Sequence, residues 1–597
     1  METLHQPGTT VLADFRAEYN AENNRIQHVA RNAITHASVS KVLVDPRKAD
    51  QLHATFSDEL DVDTKISDQQ SSGRCWIFSF LNVLRAHFIH EYDLPAHFEF
   101  SQAYLFFWDQ FEKCNQFLRY IWELKDEPSD HPVVRELLKE PISDGGQWHM
   151  LQNLVAKYGV VPKHCMGESK QANATDRMTS TLAGKLREYA HHLRTRTIAD
   201  GQLEDTLRPM LYTLYSILCV FLGEPPAKIQ WEYNPSAENF VKRKFKKHYS
   251  QRKGKTEAAA SRHKSVNTTT GGVGAHRRKS ATSTARVSRS STARRASSSL
   301  TGPSEPYHID KKPFEQSPVY TPLEFYEAFV KVPIDEYVTV IHYPHPDRPF
   351  HRRFQVKYLN NMVGGRESEL HNLPMDEMKE IAVRALDAGE PIWFCADIGK
   401  DTSIKYGILD PDAMDYRNVF KTDPHGWDKG LRMEYKDGTP SHAMALRGYH
   451  IDAPQEGEAT ANKGQGKKGK LASSKRASRR SVKQTHVARR GGGLAPYTCK
   501  HRTHKHKGGQ AATKPTTPTA HAVKPHVVHR APSRWLVENS WGDYIGKDGN
   551  LVMSDAWFDR HVYEIAVHKR HLLRAPDKKP IIKLEMWDVF GSLFTVH

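Results

Sequence analysis

Residues 65–90 read KISDQQSSGRCWIFSFLNVLRAHFIH, and the fold turns on how this stretch is read. A short polar loop, Ser67 to Gly73, leads into an apolar run in which Trp76, Ile77, Phe78, Phe80, Leu81, Leu84 and Phe88 recur at three- and four-residue steps. That period predicts a helix with one buried face, opening at Cys75. A helix N-terminus offers unpaired N–H groups and the positive end of the helix dipole, and both favour an anion. The placement therefore predicts a thiol whose pKa is lowered toward the reactive thiolate. Taken alone, a single cysteine reads first as a small buried apolar residue.

Two distant stretches change that reading. PSHAMALRGYHI (440–451) puts His442 at the head of a β-like apolar run, and SRWLVENSWGDYIG (533–546) puts Asn539 between a strand-like segment and a Trp-Gly turn. A cysteine peptidase needs a Cys at a helix end, a His to take its proton, and an Asn or Asp to fix the imidazole. It also needs donors for the oxyanion, and the side-chain amide of Gln69, six residues before Cys75, is placed to supply one.

Gln69, Gly73-Arg74-Cys75-Trp76, Ser441-His442-Ala443 and Asn539-Ser540-Trp541-Gly542 resemble the papain superfamily in its Cys–His–Asn order. A narrower resemblance, to the bleomycin hydrolase and aminopeptidase C branch, rests on SSGRCWIFSFLNVLR (71–85), FSQAYLFFWDQFEKC (100–114), DGGQWHML (144–151), TPLEFYEAFV (321–330), YLNNMVGGR (358–366) and VENSWG (537–542). It runs from about residue 60 to the C-terminus, with two interruptions. The resemblance implies an α+β papain-like fold, a helical half plus a β-barrel half, with a helical insertion between Cys75 and His442. It implies a cysteine aminopeptidase acting on peptides, with bleomycin-like amides as further candidates. Cys75 would be the nucleophile, His442 the acid and base, and Asn539 the group that orients His442. Gln69 and the Cys75 N–H would hold the oxyanion, and Trp541 would shield the His442–Asn539 bond. The assembly implied is a homohexamer with sites facing an internal channel, and neither cofactor nor metal is called for.

The implied organisation is an N-terminal arm (1–60), a helical half carrying Cys75 (61–165) and a helical insertion (166–245). A basic low-complexity insertion (246–306) and a β-rich half carrying His442 (307–452) follow. A second basic insertion (453–532) and a last segment holding Asn539 and the tail (533–597) complete the chain. Six scattered cysteines without a CxxC pair, no apolar leader near Met1 and no run of 18 apolar residues predict a cytoplasmic protein without membrane contact. Cys114 and Cys165 read as structural.

The formal charge of +17 hides two opposite parts. Residues 251–300 carry +11 and residues 459–530 carry +18, which leaves −12 for the rest. Thirty Lys and Arg in these stretches could neutralise phosphates without sequence preference, predicting salt-dependent nucleic-acid binding. The plainer reading is a pair of solvated loop extensions, since neither segment has the apolar content to repay ordering. His501, His504 and His506 lie near Cys499, but their spacing does not make a metal site.

The family's chains end near a Trp-Asp…Gly-x-Leu-Ala pattern, and their tail lies in the cleft, where its carboxylate meets the substrate amine. Trp587-Asp588-Val589-Phe590-Gly591-Ser592-Leu593-Phe594 follows that pattern, and Thr595, Val596 and His597 run past it. The sequence therefore predicts a gating tail trimmed at or near Phe594. Two alternatives compete: a latent or endopeptidase form whose basic insertions bind nucleic acid, and an acyltransferase sharing the Cys–His pair. The presence of Gln69, Cys75, His442 and Asn539 together favours the peptidase.

Overall fold

The computed structural model describes residues 9–60, 64–92, 94–199, 201–231, 318–452 and 531–591. The greater part of both basic insertions, and Phe594 with the rest of the tail past Gly591, lies outside the described residues.

The apolar run after Cys75 forms a helix over Cys75–Tyr92. The expectation of one buried face is too modest: every residue from Cys75 to Phe88 is buried except His87. Packed on all sides, the helix also buries the residues that a single-face pattern assigns to solvent, Ser79, Asn82 and Arg85. On one side stands a layer of helices, Gln102–Glu123, Trp148–Tyr158, Asp176–Thr195 and Leu203–Leu222. Ser101 caps the first of them, its hydroxyl accepting from the Tyr104 N–H. The helix over Trp148–Tyr158 stops at Gly159, whose φ of +66° is one that a side chain would strain.

On the other side lies a mixed, mostly antiparallel sheet. Its central strands run, in spatial order, Tyr337–Ile341, Val562–His568, Ile392–Ala396, His442–His450, Arg534–Glu538 and Asn550–Ser554. Alternation along them divides the core. Trp393, Cys395, Ala443 and Ala445 pack with the Cys75 helix, whereas Ile392, Phe394, Met444 and Leu446 join Trp535, Trp557 and the helix Met375–Asp387 behind the sheet. Small residues, Ala443 and Ala445, are what let the helix approach the His442 strand. Each buried large apolar side chain in these layers is worth roughly 1.5–3 kcal/mol.

The flanks of the basic insertions are paired backbone. Ile229–Gln230 pairs antiparallel with Val319–Tyr320, and His450 pairs with Arg534. Both stretches thus leave and rejoin the fold at neighbouring strand ends, positions at which long insertions are tolerated thermodynamically. Near the N-terminus, the helix Arg25–His36 and the segments Val39–Leu43 and Pro46–Gln51 pack through Ala30, Leu43 and Ala49 onto Ala413, Met414 and Val419.

Candidate active site

The site forms where the Cys75 helix begins against the sheet. The Ile77 and Phe78 N–H groups both reach the Arg74 carbonyl, so the helical ladder starts after Cys75. The N–H groups of Cys75 and Trp76 turn toward the sulfur. Cys75 Sγ accepts from the Ala443 N–H at 3.5 Å, which sets it against the strand one residue past His442.

His442 Nε2 lies 2.8 Å from Asn539 Oδ1, and that oxygen also accepts from the Ser540 N–H. With Nε2–H donating to Asn539, Nδ1 carries the lone pair that a thiol proton needs. Nδ1 is buried and makes no hydrogen bond among the described residues. The Trp541 ring packs on the imidazole at 4.7 Å between centroids. Cys75, His442 and Asn539 are thus brought together from across the chain.

Gln69 is held at both ends of its amide. Its Oε1 accepts from Ser540 Oγ at 2.7 Å, and Nε2 donates one proton to the Ser72 carbonyl at 2.7 Å, leaving a second for an oxyanion. Backbone bonds Gln69 N–H to Ser540 O and Gly542 N–H to Ser67 O stitch this loop to the Asn539 turn. Gly542, at φ +78°, supplies the left-handed residue that turn requires.

The expected lowering of the thiol pKa is overturned. Burial pushes Cys75 up to about 12, with hydrogen bonds from Ala443 and Trp76 acting against it and the Asp144 charge adding to it. Burial likewise draws His442 down to about 4, opposed by its bond to Asn539. Loss of water around a lone charge outweighs the helix terminus, so a neutral thiol and imidazole are favoured while each is taken singly. A thiolate beside an imidazolium would relieve both penalties together, as coupled groups do.

Sequence reasoning missed several residues that hold this geometry. Arg85, on the Cys75 helix, meets Glu538 at 2.8 Å, and Arg447 meets the other oxygen of the same carboxylate at 3.0 Å, all three buried. Glu538 adjoins Asn539, so this cluster ties the helix to the strand end; no local signal could have paired positions 453 apart. Asp144 braces the Cys75 loop: Gly73 N–H donates to its Oδ2 and the Trp76 indole N–H to its carbonyl, both at 2.8 Å. A Cβ on Gly146 would stand 2.6 Å from the Trp76 ring, so only glycine fits there. Farther along, Gln147 Nε2 donates to the Phe590 carbonyl, while the buried Phe590 ring packs on Tyr343.

A family model described as the Peptidase C1-like family matches residues 8–253, 299–476 and 513–591. The chain belongs to the Peptidase C1-like family. Among its relatives in that family, it is 29% identical over 539 residues to bleomycin hydrolase of Rattus norvegicus, covering 88% of this chain and 86% of that protein. It is 27% identical over 591 residues to aminopeptidase C of Lactococcus lactis subsp. cremoris, covering 98% of this chain and all of the other. The crystal structure of PepW from Lactobacillus rhamnosis superimposes with a TM-score of 0.69 at 26% identity, covering 99% of this chain and 100% of that one. The resemblance read from the motifs and the α+β papain-like fold both hold, and the chain is an enzyme of the cysteine-peptidase class. Among the described residues no helix is long and apolar enough to cross a membrane.

Proposed function

We propose that this protein is a cysteine aminopeptidase that removes N-terminal residues from peptides. The observation that carries the reading is the His442 imidazole, bonded through Nε2 to Asn539 with Nδ1 left for the proton of the neighbouring Cys75. In the mechanism inferred, His442 takes the Cys75 proton and the sulfur attacks the scissile carbonyl. The Gln69 amide and the Cys75 N–H stabilise the oxyanion. As that intermediate collapses, the C–N bond breaks and His442 protonates the leaving amine, giving a thioester. His442 then activates a water, which hydrolyses the thioester and returns the thiol. Asn539 keeps the ring oriented, and Trp541 shields their bond.

Restriction to N-terminal residues is assigned to the tail. In support, Asp588 lies 3.5 Å from Arg348, and the Phe590 carbonyl is held by Gln147, three residues from Asp144. The experiment is hydrolysis of amino-acid fluorogenic amides with free and with acetylated α-amines. Cleavage confined to the free-amine substrates and absent in Cys75→Ala supports the reading; equal cleavage of acetylated substrates overturns it in favour of an endopeptidase.

A further inference from the structure

We infer that Lys113 is a positioning residue of the active site: its ammonium clamps the backbone on either side of Asp144 and so holds the wall beside Cys75 in place. The inference deepens the aminopeptidase reading and rests on its choice of Cys75 as nucleophile.

The wall is residues 140–147, which join the helices Pro132–Lys139 and Trp148–Tyr158 without regular structure of their own. It reaches the neighbours of the nucleophile through Asp144, which accepts from the Gly73 N–H at Oδ2 and from the Trp76 indole at its carbonyl. Packing does little to fix it. Gly145 and Gly146 bring no side chains, and Gly146 must be bare to clear the Trp76 ring. Glu140, Pro141, Ile142 and Ser143 border a cavity of about 410 Å³ rather than solid core. A loop backed by empty space shifts readily unless something ties it down.

Lys113 supplies the tie. It projects from the helix Gln102–Glu123, is 7% exposed at the side chain, and borders the same cavity. An ammonium has three protons to donate. Three acceptors surround this one: Asp109 Oδ2 at 2.7 Å, the Ser143 carbonyl at 3.1 Å and the Gly145 carbonyl. Asp109, one helical turn before Lys113, is itself held at Oδ1 by the Asn361 amide, so the ammonium is anchored from the helix side. Gln110 shares the Ser143 carbonyl at 2.9 Å, but the Gly145 carbonyl has no other donor among the described residues. The ammonium also stands 5.2 Å from the centroid of the Trp76 ring. Carbonyls 143 and 145 thus turn to Lys113 while the one between them turns to Trp76, which fixes the peptide groups on both sides of Asp144. A brace within one helix would need only the pair with Asp109; the two carbonyl contacts reach across the chain to residues beside the nucleophile.

Lys113→Met alone strands the Asp109 carboxylate in the interior and is expected to unfold easily. The variant to test is therefore Asp109→Asn/Lys113→Met, which removes both charges and keeps the volume. Steady-state kinetics on leucyl fluorogenic amides, free and acetylated, would be corrected for the folded fraction given by chemical denaturation. A role in folding alone lowers that fraction and leaves kcat per folded molecule unchanged. Positioning predicts a fall in kcat per folded molecule of roughly 10- to 100-fold with little change in KM, because a misplacement of about 1 Å costs rates of that order. Lys113→Arg, still a cation with donors for both carbonyls, should recover part of the loss. Hydrogen exchange at residues 144–147 reports the clamp whatever the substrate, and it should quicken in the double variant more than in Lys113→Arg. The inference is overturned if kcat per folded molecule in the double variant stays within about twofold of wild type, if Lys113→Arg is no better than the double variant, or if exchange at these residues is unchanged. A wild type indifferent to acetylation would sink the aminopeptidase reading instead, leaving Lys113 to be judged on either amide.

Discussion

Replacing Glu538 by Ala should expose how strongly the Cys75 helix is tied to the sheet. Arg85 and Glu538 are 1% and 2% exposed at the side chain, and their 2.8 Å contact is the only polar contact Arg85 makes among the described residues. Arg447 shares the carboxylate at 3.0 Å but also donates to Thr64. Removing the carboxylate leaves the Arg85 guanidinium buried without its counter-ion, which costs about 3–5 kcal/mol. The double variant Arg85→Met/Glu538→Gln removes that stranded charge, keeps an acceptor for Arg447, and should recover most of the loss. Chemical denaturation gives the stability of each variant, and the coupling follows from the double-mutant cycle closed by the single variants Arg85→Met and Glu538→Gln. Glu538 precedes Asn539, so Glu538→Ala should also lower kcat, and the double variant should restore it only in part. A cost below about 1 kcal/mol, with no coupling between the two positions, would refute the argument, because it is the cost typical of an exposed ion pair.

Other outcomes follow from the same geometry. Cys75→Ala should abolish hydrolysis, and Gln69→Ala should lower kcat about 10²–10³-fold without changing the circular dichroism spectrum. Ser540→Ala, which frees the Gln69 amide to rotate, should give a smaller loss in kcat with KM unchanged. Burial draws His149 and His442 down to about 4 from 6.5, so the unfolded chain binds more protons between these values. Stability should therefore fall as pH drops from about 6.5 toward 4, and thermal unfolding across that range checks it. Glu564 runs the other way: burial pushes its carboxyl up to about 8 from 4.5, so its contribution is present at low pH and lost as pH rises through 8. Glu564→Gln should accordingly gain stability relative to wild type as pH is raised from 5 to 8.

Much of this protein is written locally. The helix at Cys75, the strand at His442, the stop at Gly159 and the turn at Gly542 follow from periodicity, glycine and the residues beside them, whose effects act over a few positions. The residue types and order of Cys75, His442 and Asn539 read in the sequence as cysteine-peptidase chemistry, and the family match agrees with that class. Tertiary packing decided what burial does. It surrounded the Cys75 helix from Cys75 to Phe88 apart from His87, so Asn82 and Arg85 found buried partners in Ser67 and Glu538 rather than water. It also reversed the expected thiol shift, because desolvation depends on everything packed around the sulfur and the helix terminus is only one neighbour. The Arg85–Glu538–Arg447 cluster, the Ser540 grip on Gln69 and the bracing of Asp144 join residues far apart in sequence. Charge and hydrogen bonding are settled by distance in space, and only the folded chain fixes those distances.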